Sequence, residues 1–494
     1  MIFEYSIIII YTLALLIIFL YSLAQLNLLF NYLNVKNDDE NLEKFNLLND
    51  NEIPFVTIQL PVFNELYVME RLLHCISKIN YPKEKLEIQV LDDSTDESVI
   101  FTANKITELQ KAGLDIKHIQ RKNRKGFKAG ALKEGLKIAK GDFIAIFDAD
   151  FLPKDDWLFQ TVPYFKNPEI GVVQTRWTHI NRNYSVLTRI QAFALDAHFT
   201  LEQIGRNVKN HFINFNGTAG IWRKECIYDA GNWQGDTLTE DLDLSYRAQL
   251  KKWKFKYLEN VETPAELPVT ISASRSQQFR WNKGAAENFQ KLIRKVIASK
   301  NTSFKTKIHS FLHLLNSSMF LNIFLVAILS VPVLYLKNEH AHLKIYFYLM
   351  SFFITSTFIF FIFYWFSYKK IHGTSVVNFI KYIANFFMFF TIIIGFSWQN
   401  SLAVLEGHFG KKSEFVRTPK FNISSKKEVW KKNKYARKKI SINVFIEGIL
   451  MCYFAFGMYT AFTFEKQDFT FFPFHLMLFL GFAYIFFNSI FERK

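Results

Sequence analysis

Apolar residues run almost unbroken through about residues 5–30, long enough to cross the ~30 Å hydrocarbon core of a bilayer. The run is longer than the apolar part of a signal peptide and lacks a basic leader and a small-residue cleavage site, so it reads as a retained anchor. A polar linker rich in Asn, Asp and Glu follows at 34–51. From there to about residue 286, short apolar runs alternate with stretches of helical period, the pattern of a mixed strand-and-helix domain. Segments nearly free of charge return at 308–336, 345–366 and 376–398, and as a pair between 442 and 491 divided near Glu465.

Inside the mixed region the order of elements is regular. Phe55-Val-Thr-Ile-Gln-Leu60 reads as a buried strand ending in the turn Pro61-Val-Phe-Asn-Glu65, and residues 68–78 follow with helical period. Leu86-Glu-Ile-Gln-Val-Leu91 is a second strand that runs into Asp92-Asp93-Ser94-Thr95-Asp96. Arg124-Lys-Gly-Phe-Lys-Ala-Gly130 opens another helix, and Asp142-Phe-Ile-Ala-Ile-Phe147 is a third strand delivering Asp148-Ala-Asp150. Alternating strands and helices predict a doubly wound α/β domain with a mostly parallel sheet, whose ligands gather at the carboxyl ends of the strands.

Composition fits a soluble domain joined to membrane helices: half of the 494 residues are hydrophobic and 55 are Phe, yet 21% are charged. The net charge of +16 could suggest nucleic acid. The basic residues cluster beside apolar spans, however, where the positive-inside rule and anionic lipid explain them, so no nucleic-acid partner is expected. Cys75, Cys226 and Cys452 are too scattered for a disulfide framework or a zinc knuckle.

Two carboxylates one residue apart at a strand end, as in Asp148 and Asp150, can both reach Mg2+ or Mn2+ and leave room for phosphate oxygens. A solvated strand end would look the same in isolation. Thr239 is a candidate N-cap for a helix over 242–250, which sets Glu240 and Asp241 at a helix start. Besides capping, Asp241 suits a general base that takes the proton of an acceptor hydroxyl. Direct attack by that hydroxyl inverts the anomeric centre and gives a β-linkage from an α-linked donor. Gln277-Gln-Phe-Arg-Trp281 offers a guanidinium for phosphate and an indole face for a sugar ring, or an amphipathic helix meeting the bilayer.

Taken together, Asp92-Asp93-Ser94, Asp148-Ala-Asp150, Thr239-Glu-Asp241 and Gln277-Gln-Phe-Arg-Trp281 resemble the motif series of processive family 2 glycosyltransferases. Lys128-Ala-Gly-Ala-Leu-Lys133 and Phe215-Asn-Gly-Thr-Ala-Gly220 are most similar to the cellulose-synthase-like mannan and glucan synthases. The resemblance implies a GT-A-type nucleotide-sugar-binding domain at 52–286 between an N-terminal transmembrane helix (1–33) and a C-terminal helical membrane bundle. It implies that Asp92 and Asp93 hold the nucleotide, that Asp148 and Asp150 hold the metal and diphosphate, and that Asp241 is the base with Glu240 beside it. Gln277, Arg280 and Trp281 would bind diphosphate and the acceptor end, Phe215, Gly217 and Thr218 would line the acceptor entrance, and Glu65 and Lys128 would join the substrate site. Phe415-Val-Arg-Thr-Pro-Lys420 resembles a gating loop whose Thr418 and Lys420 reach phosphate, with Arg417 where a small apolar residue is usual.

The expected function is inverting, processive transfer of a hexose from UDP-glucose or GDP-mannose to a β-linked polysaccharide, needing no cofactor beyond Mg2+ or Mn2+. Adding one sugar to a membrane lipid is the alternative within enzymes, and a transporter or lipid-binding protein the alternative outside them. The expected layout continues with an amphipathic segment (287–307), two spans with an interfacial helix (308–410), a basic loop (411–440) and two last spans (441–494). With the domain and the basic loop both cytosolic at the inner cell membrane, an even number of crossings must separate them. Residues 376–398, which carry Asn378, Lys381 and Asn385, are then an interfacial or re-entrant helix and five helices cross; the alternative is six simple spans with the basic loop outside.

Overall fold

The computed structural model describes residues 2–35, 53–425, 427–431, 433–436, 441–465 and 467–492. The expected linker falls outside these from residue 36 on, as do parts of the basic loop at 411–440. Helix α1, Ile2–Leu33, comes first and is apolar on every side, as a membrane span must be.

Seven strands then form one sheet in the order β3-β2-β1-β4-β6-β5-β7. They are β1 Val56–Val62, β2 Leu86–Asp92, β3 Ile116–Gln120, β4 Phe143–Ile146, β5 Ile170–His179, β6 Gly220–Arg223 and β7 Lys254–Ala265. Only β6 runs against its neighbours β4 and β5; the other pairs are parallel, so the sheet is mostly parallel as the alternating pattern predicts. Helices α2 Met69–Ser77 and α3 Ser98–Lys111 bury Leu72, Leu73 and Ile106 against Ile58 and Leu60. On the other face, α4 Phe127–Ile138 sets Leu132 and Leu136 against Ile144 and Ile146. Burial on both faces is why these strands read as continuous apolar runs.

A polar ladder interrupts the core. Thr57 donates to Glu87 at 2.8 Å and Gln59 to Gln89 at 3.0 Å, each pair directly opposed in the β1–β2 register. Lys117 of β3 reaches Glu87 at 2.6 Å. A slip of one residue would break every one of these bonds, so the ladder fixes which residues of β1 and β2 end at the ligand edge.

Helix α5 Val186–Ala197 lies between β5 and β6 and α6 Glu240–Leu250 between β6 and β7, and after the last strand come α7 Ile271–Ala298 and α8 Phe304–Leu314. The next apolar helix begins at Asn316, later than the hydropathy suggests, because Leu314 ends α8 and the polar 3-10 turn Asn316–Ser318 opens the helix that follows. Then follow α9 Asn316–Glu339, α10 Ala341–His372, α11 Val376–Gly395, α12 Ser397–His408, α13 Ile442–Thr463 and α14 Phe472–Phe491. Among the described residues six helices are long and apolar enough to cross a membrane: α1, α9, α10, α11, α13 and α14. Helix α7 joins the two parts, since its Arg275 forms a buried ion pair with Glu447 of α13 and the backbone N–H of Ser272 donates to Glu492 at 3.3 Å.

Candidate active site

The parallel strands β1, β2 and β4 all deliver their carboxyl ends to one edge, and the cavity found there gathers side chains far apart in sequence. After β1 the chain turns through Asn64, whose φ of 54° is a left-handed value that Asn tolerates. The Asn64 N–H donates to Ser94 Oγ at 2.7 Å, and the Thr95 N–H donates to Asn64 Oδ1 at 2.8 Å, locking the β1 and β2 loops together. Asp93 lines the cavity with both carboxylate oxygens held by Arg121, one of them at 2.8 Å. Asp92 does not line it: that carboxylate turns to His118 Nε2 and the Ser94 N–H, each at 2.8 Å, and so braces the loop from behind.

Asp148 and Asp150 follow β4, and each meets an ammonium group. Lys128 Nζ lies 2.5 Å from Asp148 and also donates to the Gly217 carbonyl at 2.9 Å, while Lys420 Nζ lies 2.6 Å from Asp150. Burial works against both lysine charges, but Asp148 beside Lys128 and Asp150 beside Lys420 outweigh it and hold each pKa above its ordinary value. Thr218 is fully buried and its hydroxyl accepts from the Asp148 N–H at 2.9 Å, while Phe215 packs beneath the site against Trp222 and Trp233. These two therefore support the wall from below, whereas Gly217 is part of it. A side chain at Gly217 is doubly disfavoured: φ is +81° and a Cβ would sit 3.0 Å from Asp241 Oδ2.

Glu240 and Asp241 open α6, with the Leu242 N–H donating to Asp241 Oδ1 at 2.9 Å. Thr239 stands at the N-cap position without capping; its hydroxyl instead accepts from Asn288 Nδ2 of α7 at 2.9 Å. Gly284 of α7 lets that segment approach, since a Cβ there would meet Thr239 Oγ1 at 2.6 Å. Burial, and then the neighbouring Glu240 carboxylate, push Asp241 up to about 7, and burial raises Glu240 as well. Such a carboxylate takes up a proton near neutral pH, as a general base should. Opposite stand Gln277, Arg280 and Trp281 of α7, all lining the cavity. Burial draws the Arg280 guanidinium down to about 10, and Arg280 donates to Thr418 Oγ1 at 2.9 Å.

The described part of the basic loop closes over this edge. Phe415 stacks on Phe127 with centroids 5.5 Å apart and lies under Arg280, Arg417 forms an ion pair with Glu65 at 2.9 Å, and the Phe421 N–H donates to Glu266 at 2.9 Å. Burial lifts Glu65 to about 8 against the pull of Arg417 and Lys420. Arg417, the departure from the usual pattern, thus has a definite partner. Sequence reasoning did not single out Arg124, whose guanidinium lies 3.3 Å over the Phe63 ring, or Glu266, Trp177 and His179, which also line the cavity. An isolated residue in a loop or at a strand end carries no spacing signal.

Seven carboxylates line the cavity (Glu65, Asp93, Asp148, Asp150, Glu240, Asp241, Glu266) against five basic side chains (Arg124, Lys128, Arg280, Arg417, Lys420). No group of three or more His, Cys, Asp and Glu arranged for a metal is found among the described residues. The excess of hard oxygen donors fits a divalent cation that completes its shell with ligand oxygens, as Mg2+ and Mn2+ do. Behind the cavity lies a second one of about 460 Å³, largely apolar, which reaches Tyr21 and Gln25 of α1, Phe320 of α9, Tyr364 of α10 and Phe390 of α11. Trp177, Leu195, Asn216, Thr239, Asp241, Gln277 and Trp281 line both, so Asp241 stands at the neck between them.

Comparison with known proteins agrees with this geometry. The sequence pattern of the glycosyltransferase-like family 2 matches residues 54–284. Probable glucomannan 4-beta-mannosyltransferase 11 of Oryza sativa subsp. japonica is 46% identical over 261 residues, which are 52% of this chain and 46% of that protein. Glucomannan 4-beta-mannosyltransferase 9 of Arabidopsis thaliana is 41% identical over 285 residues, 57% of this chain and 52% of that protein. The chain thus spans about half the length of the curated relatives it matches. Among solved structures, mannosyltransferase PcManGT from Pyrobaculum calidifontis, in complex with GDP-Man and Mn2+, superposes with a TM-score of 0.53 at 17% identity, over 83% of this chain and 99% of that one, a likeness of fold. With Asp93, Asp148, Asp150, Glu240, Asp241, Gln277, Arg280 and Trp281 gathered around one cavity, residues 54–284 match the glycosyltransferase-like family 2 and resemble the corresponding region of the glucomannan 4-beta-mannosyltransferases.

Proposed function

We propose that this chain transfers mannose from GDP-mannose to the end of a growing β-1,4-linked polysaccharide, and that the product leaves through the membrane helices. The observation that carries the reading is Asp241 at the neck between a charged cavity and a long, mostly apolar one. GDP-mannose is favoured over UDP-glucose by the names of the relatives, glucomannan 4-beta-mannosyltransferases, and by the GDP-Man bound in the fold neighbour.

In this reading Asp241 takes the proton of the acceptor hydroxyl. The freed oxygen pair attacks C1 of the donor sugar, the bond from C1 to the diphosphate oxygen breaks, and the nucleoside diphosphate leaves with its electrons. Attack from the face opposite the leaving group inverts C1. Arg280, Lys128 and Lys420 bind the diphosphate, Trp281 offers its face to the acceptor ring, and the Phe415–Lys420 segment excludes water once the nucleotide is in. Asp148 and Asp150 would hold Mg2+ or Mn2+, which supplies positive charge for the departing diphosphate.

The layout of five crossings has support in the contacts of the basic loop. Thr418 meets Arg280, Lys420 meets Asp150, and the Phe421 N–H meets Glu266, so the chain is back on the catalytic side after α9, α10 and α11. An even number of these three helices then crosses. Helix α11 is the exception of choice because Asn378, Lys381 and Asn385 lie along it, and its Tyr382, Phe386 and Phe389 share one cluster with Leu187, Ile190 and Phe193 of α5, as do Tyr368 of α10 and Ile485 of α14. The domain faces the cytosol, where nucleotide-sugar is available, and the chain resides in the inner cell membrane.

Purified full-length protein, offered radiolabelled GDP-mannose, UDP-glucose or UDP-N-acetylglucosamine with Mn2+ or Mg2+, tests the reading. A long, β-mannanase-sensitive product from GDP-mannose is expected. A lipid-sized product would replace polymer synthesis by single transfer, and no transfer from any donor would end the proposal.

A further inference from the structure

Strand β5 ends with Trp177 and His179, and the two-residue repeat of a strand puts them on one face. Both line the carboxylate cavity. Among the described residues, neither ring nitrogen of His179 nor the indole Nε1 of Trp177 has a hydrogen-bond partner, and all three atoms are buried. Buried donors and acceptors are rarely left unmade, and three of them on adjacent side chains at a cavity call for a partner that arrives with the ligand.

The chemistry of that partner follows from what the two rings offer. Burial holds His179 down to about 4 despite the pull of Asp196, so the imidazole is neutral and presents one N–H donor and one acceptor nitrogen. The indole presents a donor only. A phosphate oxygen could satisfy the donors but would face the acceptor nitrogen with its own lone pairs. A sugar hydroxyl both donates and accepts. Trp177 is fixed for this role by edge contact with Phe151 and a tilted contact with Phe199, each with centroids 4.9 Å apart.

The two side chains differ in position. Trp177 lines both cavities, whereas His179 lines only the one that holds Asp148 and Asp150. That is the donor side. We infer that His179, with Trp177 beside it, receives a hydroxyl of the hexose carried by the nucleotide and so helps decide which sugar is transferred. The inference rests on the glycosyl-transfer reading above.

The test is a coupling measurement on the full-length protein in detergent. kcat/KM is measured for the nucleotide-sugar that the wild type turns over and for its 2-, 3-, 4- and 6-deoxy analogues, with wild type, His179→Phe and His179→Asn. Wild type should lose about 10- to 100-fold with one of the analogues, the penalty of a buried hydrogen bond left unmade. His179→Phe should show a comparable loss with the intact donor and no further loss with that analogue, and His179→Asn, which keeps a donor and an acceptor, should recover part of the activity. If His179→Phe does not fold by thermal melting, the His179→Asn cycle carries the test alone.

Penalties that simply add for every deoxy donor overturn the assignment. Coupling that appears instead with an acceptor oligosaccharide deoxygenated at its terminal sugar would move the contact to the growing chain and overturn it too. Failure of wild type to use any intact donor sinks the glycosyl-transfer reading itself, an outcome distinct from additive penalties in an active enzyme.

Discussion

Replacing Glu240 by Gln should move the acid limb of the pH–rate profile downward. Asp241 is held at about 7 by burial and by the Glu240 carboxylate, against an ordinary value of 3.8. A base acts only when deprotonated, so kcat/KM for the wild type should fall about tenfold per pH unit below that midpoint and level off above it. Consecutive residues have Cα atoms ~3.8 Å apart, which puts their carboxylates within ~6–8 Å of each other. At an effective dielectric near 20, two such charges repel by about 2–3 kcal/mol, equivalent to roughly 1–2 pH units. Glu240→Gln removes this repulsion but not the burial, so the midpoint drops toward pH 5–6, by roughly that 1–2 units, while remaining above that of a free aspartate. The assay is kcat/KM for donor between pH 4.5 and 8.5, with nucleotide binding followed by calorimetry as a check on folding. A midpoint that stays put, or rises, would refute the reasoning, and Asp241→Asn should remove about 10²- to 10⁴-fold of kcat while nucleotide binding persists.

Lys420→Ala releases Asp150 from its 2.6 Å ammonium partner, so Mn2+ should bind the nucleotide-free protein more tightly by electron paramagnetic resonance titration even as turnover falls; unchanged Mn2+ affinity would show that the lysine does not compete for the carboxylate. Glu447→Ala removes the carboxylate that Arg275 pairs with at a site where the Glu447 side chain is 0% exposed, and should cost about 3–5 kcal/mol, read as a lower melting temperature in detergent, with Glu447→Gln less severe. Gly284→Ala sets a Cβ 2.6–2.8 Å from Thr239 atoms and should displace Glu240 and Asp241, lowering kcat by about 10-fold or more with little change in donor KM; a variant of wild-type kcat would mean that the segment yields without consequence.

The parts of the fold that could be read from sequence are those whose cause is local. β1, β2 and β4 are apolar runs ended by Pro61, by Asp92-Asp93 and by Asp148, and the structure gives strands there with small shifts at their ends. Pro61 even lies past the last β1–β4 pair, where a missing N–H costs nothing. What the pattern could not reveal depends on distant partners. Thr239 sits where a cap should be, yet its hydroxyl is taken by Asn288, 49 residues away. Asp92 and Asp93 are adjacent and chemically alike, but His118 draws one carboxylate behind the loop while Arg121 holds the other at the cavity. Phe215 and Thr218 belong to a motif that reads as site wall, and the turn at Gly217 puts both of them beneath it. His179 and Trp177 come from the end of an ordinary strand and become visible only when their nitrogens are found without partners.

The segment Phe415–Lys420, which covers the catalytic edge, is separated from the glycosyltransferase domain by three long apolar helices. During synthesis the ribosome therefore finishes the sheet, the carboxylates and Gln277–Trp281 well before the lysine that meets Asp150 and the threonine that meets Arg280 exist. The contacts of Thr418 with Arg280 and of Lys420 with Asp150 can form only after α9, α10 and α11 have been made and the chain has returned to this edge. Order of manufacture thereby couples the last contacts of the cavity to the helices that precede them, and a fragment ending before residue 415 would lack both lids of Asp150 and Arg280.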